Sequence, residues 1–377
     1  MKKNTIVWIT PDCFIDCDVS YIPKLSEIFQ IHWIVIRPIC PRFTLNEIKT
    51  SIKNYDDITL TIIESKCRER NPLKIFEYNK INTIISKVNP NLIYINISPT
   101  SPWQIPMFIR LPINKTIIAA HQGKVHEGMG HYWYYNMLRD FVFKRFKYIN
   151  MFSKSQASFF RERYPNPRIF QFVLGLKYFG EPSMDIKAHD TINFLSFGIV
   201  NYAKHIDLLI DAACNIYEKG YKNIRVKIVG SCANWNEVYK PHIRYPEIFD
   251  VDIRMIDNEE IPNLFAESDY FVQPYRVLSQ SGPFKIAMKY NIPLITSDLP
   301  GFTDEMVENT TGFIFESEKV ENLESIMIKA IQIKIKGEYS ELKARMKEYV
   351  DKVYSEHSLL NQYAEMFNTI ISNEINS

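Results

Sequence analysis

The chain has 377 residues, 46% hydrophobic and 23% charged, with 45 Lys and Arg against 43 Asp and Glu for a formal net charge of +2. That length exceeds one ordinary core and predicts two domains, and the apolar content excludes a disordered chain. A charge so near zero argues against a nucleic-acid partner, because phosphate-backbone binding draws on an excess of Lys and Arg.

Lys2-Lys3 precedes only a short apolar run, Ile6 to Ile9, before Thr10-Pro11-Asp12. This is too short for a secretory signal and suits a first buried strand. No window reaches the roughly 18 apolar residues of a membrane span. A cytoplasmic protein is expected, with peripheral attachment to a membrane surface left open. The run PDCFIDCD, residues 11 to 18, has no glycine, so its backbone cannot approach a ligand closely. Asp12, Asp16 and Asp18 are read as helix N-caps or, alternatively, as partners for ligand hydroxyls. Cys13, Cys17, Cys40, Cys67, Cys214 and Cys232 form no CxxC and have no histidine at zinc spacing. They read as free thiols in a reducing compartment.

Strand-like apolar runs follow at Trp33–Ile36, Leu60–Ile63, Leu92–Ile97, Thr116–Ala120 and Ile149–Phe152. A second set comprises Asn193–Phe197, Val226–Val229, Tyr270–Gln273 and Leu294–Thr296. Their continuous apolar character suits parallel strands buried on both faces. Between the sets, Tyr178 to Asp190 is polar and carries Gly180 and Pro182, which marks a linker. The expected fold is α/β, with two doubly wound Rossmann-like domains facing across a cleft. They span residues 1–180 and 190–350, and a helical tail follows at 351–377, within an amphipathic stretch from Lys343 to Ile375. Such sheets bind ligands beyond the carboxyl ends of their strands.

His121 directly follows Thr116–Ala120, at such a carboxyl end, where ligand contacts concentrate. A satisfied structural histidine is the plain alternative. Gly123, His126, Glu127, Gly128, Gly130 and His131 form a loop that could hold a metal or ligand, or simply cover the surface. From 131 to 170, Trp133, Tyr134, Tyr135, Phe141, Phe143, Phe146 and Tyr148 are interleaved with Arg139, Lys144, Arg145 and Lys147. Arg161, Arg163 and Arg168 follow, against Asp140 and Glu162. That pattern fits an anionic membrane surface, and equally a core helix with a solvated face.

In the second half, Ile206–Tyr217 reads as an amphipathic helix with positions 206, 209, 210, 213 and 217 inward. Lys204 precedes it, where a bare cation opposes the helix dipole and an anion would be welcome. A solvated surface lysine is the alternative. Further on, Ser279 to Gly301 reads SQSGPFKIAMKYNIPLITSDLPG. Ser281 and Gly282 are N-cap candidates, Pro283 suits the first helical position, and Phe284, Ala287 and Met288 recur at helical spacing. Asn291 closes the helix, and Pro293-Leu294-Ile295 starts a strand. A helix start opened by small residues offers free N–H groups and a positive dipole end to phosphate.

Phe197-Gly198 with Tyr202, Lys204, Asp207 and Leu208, then Ile228-Val229-Gly230-Ser231, then IPNLFAESDYFVQP at 261–274, stand in a particular order. Gln280-Ser281-Gly282, Pro293, Asp298, Gly301 and Thr311-Gly312-Phe313 continue it. Over Ser196 to Glu316 the chain thereby resembles the C-terminal half of family 4 glycosyltransferases, retaining nucleotide-sugar enzymes of GT-B fold. The resemblance implies a nucleotide-diphosphate site from Gly198, Asn201, Lys204, Gly230, Ser281, Gly282 and Pro283. It implies catalytic roles for His121 and Gln280 as sugar contacts and for Lys204 on the diphosphate. It implies a metal-independent reaction with no cofactor beyond a UDP- or GDP-type sugar donor. The acceptor would be a saccharide or lipid-linked saccharide in bacterial surface polysaccharide assembly (capsule, O-antigen or exopolysaccharide). The C-terminal helix would pack back on the first domain. Two departures stand out. Asn201 or Ile199 occupies the place of a common arginine, and Leu278 and Ile286 replace paired glutamates, as in a divergent subgroup with a Gln-Ser-Gly loop. The alternative they suggest is a catalytically silent binding or partner subunit.

Overall fold

The computed structural model describes residues 3–123, 132–183 and 190–375. The chain divides into two compact units, Met1–Gly175 with Glu356–Ser377, and Leu176–Ser355.

The first unit holds seven strands: β1 (Thr5–Pro11), β2 (Gln30–Arg37), β3 (Ile58–Glu64), β4 (Leu92–Ile95), β5 (Thr116–Ala120), β6 (Tyr148–Met151) and β7 (Arg168–Gln171). All pair in parallel, in the order β3-β2-β1-β4-β5-β6-β7. Strand alternation serves two cores at once. Ile6 and Trp8 enter one, Val7 and Ile9 the other, and all four are fully buried. The helix Glu356–Ile375 joins the first of these cores through Leu359, Tyr363, Met366, Phe367, Ile370 and Ile371. These positions repeat at helical spacing, and the Tyr363 ring lies 5.5 Å from that of Trp8. Burying each such side chain is worth about 1.5–3 kcal/mol, which holds a segment distant in sequence to this unit.

The second unit holds β8 (Ile192–Phe197), β9 (Ile224–Val229), β10 (Phe249–Asp252), β11 (Tyr270–Gln273), β12 (Leu294–Ser297) and β13 (Gly312–Phe315). They too are parallel, in the order β10-β9-β8-β11-β12-β13. In each sheet the direction of winding reverses at one place: between β1 and β4, and between β8 and β11. Ligands of doubly wound sheets bind beyond the strand ends at such a point.

Three strands escape the sequence pattern. β7, β10 and β13 are all sheet edges of four residues, and neither β7 nor β10 has a fully buried residue. The stretch from Lys343 is two helices, Tyr339–Val353 and Glu356–Ile375, broken at Tyr354-Ser355. In the helix Ile206–Glu218, Tyr217 is only partly buried, whereas Leu208, Ala212, Cys214 and Ile216 are buried as well. The N-terminal aspartates cap no helix. Asp12 accepts from the backbone of Arg42 at 2.7 Å and of Phe43 at 3.4 Å, and Asp18 is buried in a side-chain network. All six cysteines are free thiols. Among the described residues, no helix is long and apolar enough to cross a membrane.

Candidate functional site

At the winding reversal of the second sheet, two turns and a helix start meet. Gly198, just past β8, has φ +123°, and Gly230, just past β9, has φ +139°. A Cβ on Gly230 would lie 2.0 Å from the Gly198 carbonyl oxygen, so only glycine permits this approach. Backbone bonds from Gly198 to Val229 and from Val200 to Ser231, both 2.9 Å, strap the loops together. On the other side, an ideal Cβ on Gly198 would be 3.4 Å from Pro283 Cγ. Gly198, Gly230 and Pro283 are therefore neighbours.

The helix Gly282–Lys289 begins as its sequence suggests, shifted by one position. Ser281 is the N-cap, its Oγ accepting from the Phe284 amide at 3.2 Å, so Gly282 and Pro283 are the first two helical residues. Asn291, with φ +55°, closes it, and the Ile292 amide bonds back to the Ala287 carbonyl at 2.9 Å. Gln273 at the end of β11 is fully buried, and its Nε2 donates to Ser281 Oγ at 2.7 Å and to the Tyr275 hydroxyl at 2.8 Å. The half-buried Lys204 places Nζ 3.7 Å from the centre of the Tyr275 ring. Lys204, Tyr275, Gln273 and Ser281 thus form one continuous set of contacts. Gln280 is half-buried beside the cap, and the exposed Asn201 turns its Oδ1 onto the Ala203 amide at 3.1 Å, capping the Tyr202–Lys204 turn.

Two basic residues here carry no signal in the sequence. Arg276 donates to the Tyr202 carbonyl and to Asp207 Oδ2, each at 3.1 Å, while its own amide bonds the Ala203 carbonyl at 3.0 Å. It fastens the Lys204 loop to the end of β11. Burial, and then the Arg276 guanidinium, hold the neighbouring His205 imidazole below its ordinary pKa. Lys177 is 7% exposed, and its Nζ would lie 3.0 Å from a Cβ on Gly282, at the first turn of the helix. Both residues lie far in sequence from what they touch, so spacing could not reveal them.

His121 belongs to the first unit, at the carboxyl end of β5, and is buried. Its ring is stacked on Phe14, 3.9 Å between centres and 6° between planes, and on Phe152 at 4.7 Å. Nε2 lies 2.6 Å from Asn96 Oδ1. The candidate loop positions 126, 127, 128, 130 and 131 lie outside the described residues, as does 184–189 of the linker. Among the described residues, no group of three or more His, Cys, Asp or Glu side chains could hold a metal ion. The positions Leu278 and Ile286 differ in kind. Ile286 is 4% exposed on the core face of its helix, and Leu278 is half-buried in the loop before it.

No curated protein matches the chain in sequence. By fold, a glycosyltransferase from Rickettsia africae ESF-5 is similar with a TM-score of 0.72 and 16% identity, over 99% of this chain and 100% of that one. Sucrose-phosphate synthase from Thermosynechococcus elongatus gives 0.75 at 12% identity, over 98% and 100%. Anabaena HepE in complex with UDP gives 0.68 at 13%, over 98% and 100%. At such identities these likenesses speak to fold, which is GT-B in both sheets and in the returning C-terminal helix. Within the second unit, residues 185–353 match the model of the glycosyl transferases group 1.

Proposed function

We propose that the protein is a retaining, metal-independent glycosyltransferase that moves a sugar from a nucleotide diphosphate to a saccharide or lipid-linked saccharide. The observation that carries this reading is the meeting of Gly198, Gly230 and the Ser281-capped helix start beside Lys204, inside the stretch that matches group 1 glycosyl transferases. The positive end of the helix at Gly282 and the Lys204 ammonium would receive the diphosphate. As the glycosidic bond breaks, negative charge grows on the distal phosphate, and these fixed donors stabilise it. The acceptor hydroxyl would attack on the face the diphosphate leaves, its proton passing to the departing phosphate oxygen. Gln280 and His121 are the proposed sugar contacts. A UDP-type donor is favoured by the likeness to HepE, which binds UDP, with GDP-type as the alternative base.

A surface feature supports a lipid-linked acceptor in surface polysaccharide assembly. On the helix Tyr132–Phe143, Trp133, Met137 and Phe141 are 69%, 52% and 44% exposed at four-residue spacing, and the exposed Lys144 continues the line. Arg139, Phe143 and Phe146 of the same stretch are instead buried. An apolar stripe ending in a lysine suits an anionic lipid surface. A second reading, a catalytically silent binding or partner subunit, is favoured by Leu278 and the buried Ile286, neither of which carries a carboxylate.

Calorimetric titration with UDP-, GDP-, ADP- and CMP-sugars tests the proposal, with Lys204→Ala as control. Binding of one nucleotide that weakens in the variant is the expected result. No binding by any of the four refutes it. Binding without transfer to any acceptor moves the reading to the silent subunit.

A further inference from the structure

The first unit holds a cavity of about 550 Å3, within the range of about 300–1,000 Å3 in which small-molecule sites fall. Its walls come from the helix Lys74–Val88, the end of the helix Ile105–Arg110 and the turns that lead into β4 and β5. It therefore lies at the amino ends of those strands. Lys115, in its wall, immediately precedes β5, whereas His121 follows that strand, about 20 Å further along the chain. This is a place apart from the carboxyl ends, where doubly wound sheets bind their usual ligands.

The charge of the lining has one sign. Arg110 and Lys115 belong to it, and no Asp or Glu does. The stretch from Tyr78 to His126, which supplies every wall residue, contains no acidic residue, against Lys80, Lys87, Arg110, Lys115 and Lys124. Arg110 Nη1 donates to Asn79 Oδ1 at 2.6 Å, and Lys115 Nζ donates to the Pro90 carbonyl at 2.9 Å. These bonds tie both cations to the wall while using one donor of the guanidinium's five and one of the ammonium's three. Asn82 also lines the cavity, and its buried Nδ2 has no hydrogen-bond partner, a state that folded chains seldom leave unmet. Pro90 and Pro112 add apolar surface. Two cations, an unmet amide donor and proline faces suit a ligand that is anionic at one point, rich in hydroxyls and apolar on its C–H face. A sugar carrying an acid group combines all three.

We propose that this cavity is a second binding site, for a saccharide bearing a carboxylate or a phosphate, with the anion on Arg110 and Lys115 and a hydroxyl on Asn82. The site lies outside the donor-binding reading and stands without it.

Calorimetric titration of the full chain with glucuronate, glucose 6-phosphate, glucose and inorganic phosphate tests the site, repeated with UDP present. Glucuronate or glucose 6-phosphate should bind at least tenfold more tightly than glucose or inorganic phosphate, and UDP should not displace it. The tighter of the two identifies the anion. Arg110→Gln, at an exposed position, should weaken that binding about tenfold, the value of one charged hydrogen bond, and leave UDP affinity unchanged. Asn82→Leu, which removes the unmet donor, should weaken it severalfold without lowering the melting temperature. Should that variant not fold, Arg110→Gln decides alone. Inorganic phosphate binding as tightly as the sugar acids would reduce the cavity to an unspecific cationic patch and overturn the proposal. Equal binding of glucose, displacement by UDP, affinity that survives Arg110→Gln, or no binding of either sugar acid would overturn it as well.

Discussion

The two sheets of this protein reverse their winding in the same way and furnish the reversal with opposite chemistry. Beyond β8 and β11 the walls are backbone: two glycines at positive φ, a helix start capped by Ser281, and the cations Lys204 and Lys177 nearby. Beyond β1, β4 and β5 the walls are side chains, an aspartate, an asparagine and a histidine buried in a fixed order with no glycine among them. Backbone amides with lysines suit a multiply charged phosphate, which needs many short contacts and little discrimination. Side chains held in one order offer hydrogen bonds of fixed direction. One topology thus carries two kinds of wall, and the difference lies in a handful of residues at the strand ends.

The sharpest way to break the backbone-built side is Gly230→Val. Its Cβ would fall 2.0 Å from the Gly198 carbonyl at a φ that valine does not adopt. We expect a loss on the order of 3 kcal/mol in unfolding free energy together with loss of UDP binding. Denaturant unfolding and calorimetry read the two effects. A stable variant that binds UDP normally would mean the turn is not part of the site.

The side-chain-built end is sharpened next, through pH. Burial raises the Asp18 carboxyl from 3.8 to about 6, outweighing its hydrogen bonds from Thr10, Trp8 and Asn96, with Asp16 adding repulsion. Cys17, Tyr21, Tyr94 and Tyr363 are its other titratable neighbours. Because the folded state binds this proton more tightly, its stabilising contribution is full below about pH 4 and lost as pH rises through about 6. The rise corresponds to about 3 kcal/mol. Asp18→Asn cannot titrate, so between pH 4 and pH 8 its stability should improve relative to wild type by about that amount. Parallel unfolding curves at both pH values would show that Asp18 is not strained by its charge.

Lys204→Ala should have a smaller effect, confined to the ligand. A charged hydrogen bond to phosphate is worth about 1.5–3 kcal/mol, so UDP affinity should fall by roughly ten- to a hundredfold. The loss of its contact with Tyr275 should cost about 0.5–1 kcal/mol of stability. If affinity holds, Lys177 is the next cation to remove.

Much of this was legible along the chain, for reasons that also explain what was not. The central strands announce themselves because both faces are buried, as the fully buried run Ile6 to Ile9 shows. Edge strands such as Phe249–Asp252 bury too little to leave a pattern. The helix start at 281–283 is written locally, in a cap and a proline, so its chemistry could be read and only its register slipped by one residue. Asp18 could not be read that way. Eight residues separate it from Thr10, but 78 separate it from Asn96, and only the sheet brings them together. Arg276 and Lys177 were missed for the same reason: each acts on a segment it meets through folding, not through sequence.

The smallest expected effect on the folded protein is also the one that decides whether the side-chain-built unit faces lipid. Trp133 is 69% exposed, so Trp133→Ala should change stability by no more than about 0.5 kcal/mol and leave UDP affinity alone. On vesicles containing phosphatidylglycerol the same change should weaken binding about tenfold or more, because burying a large side chain at the interface is worth about 1.5–3 kcal/mol. Lys144 and Arg163 both pair with Asp140, at 3.5 and 2.9 Å, which leaves a local excess of positive charge, and added salt should weaken vesicle binding as well. Vesicle binding that ignores Trp133 but responds to salt would reduce the stripe to a diffuse electrostatic contact. No vesicle binding at all would remove the membrane from the picture and leave a soluble saccharide as the proposed acceptor class.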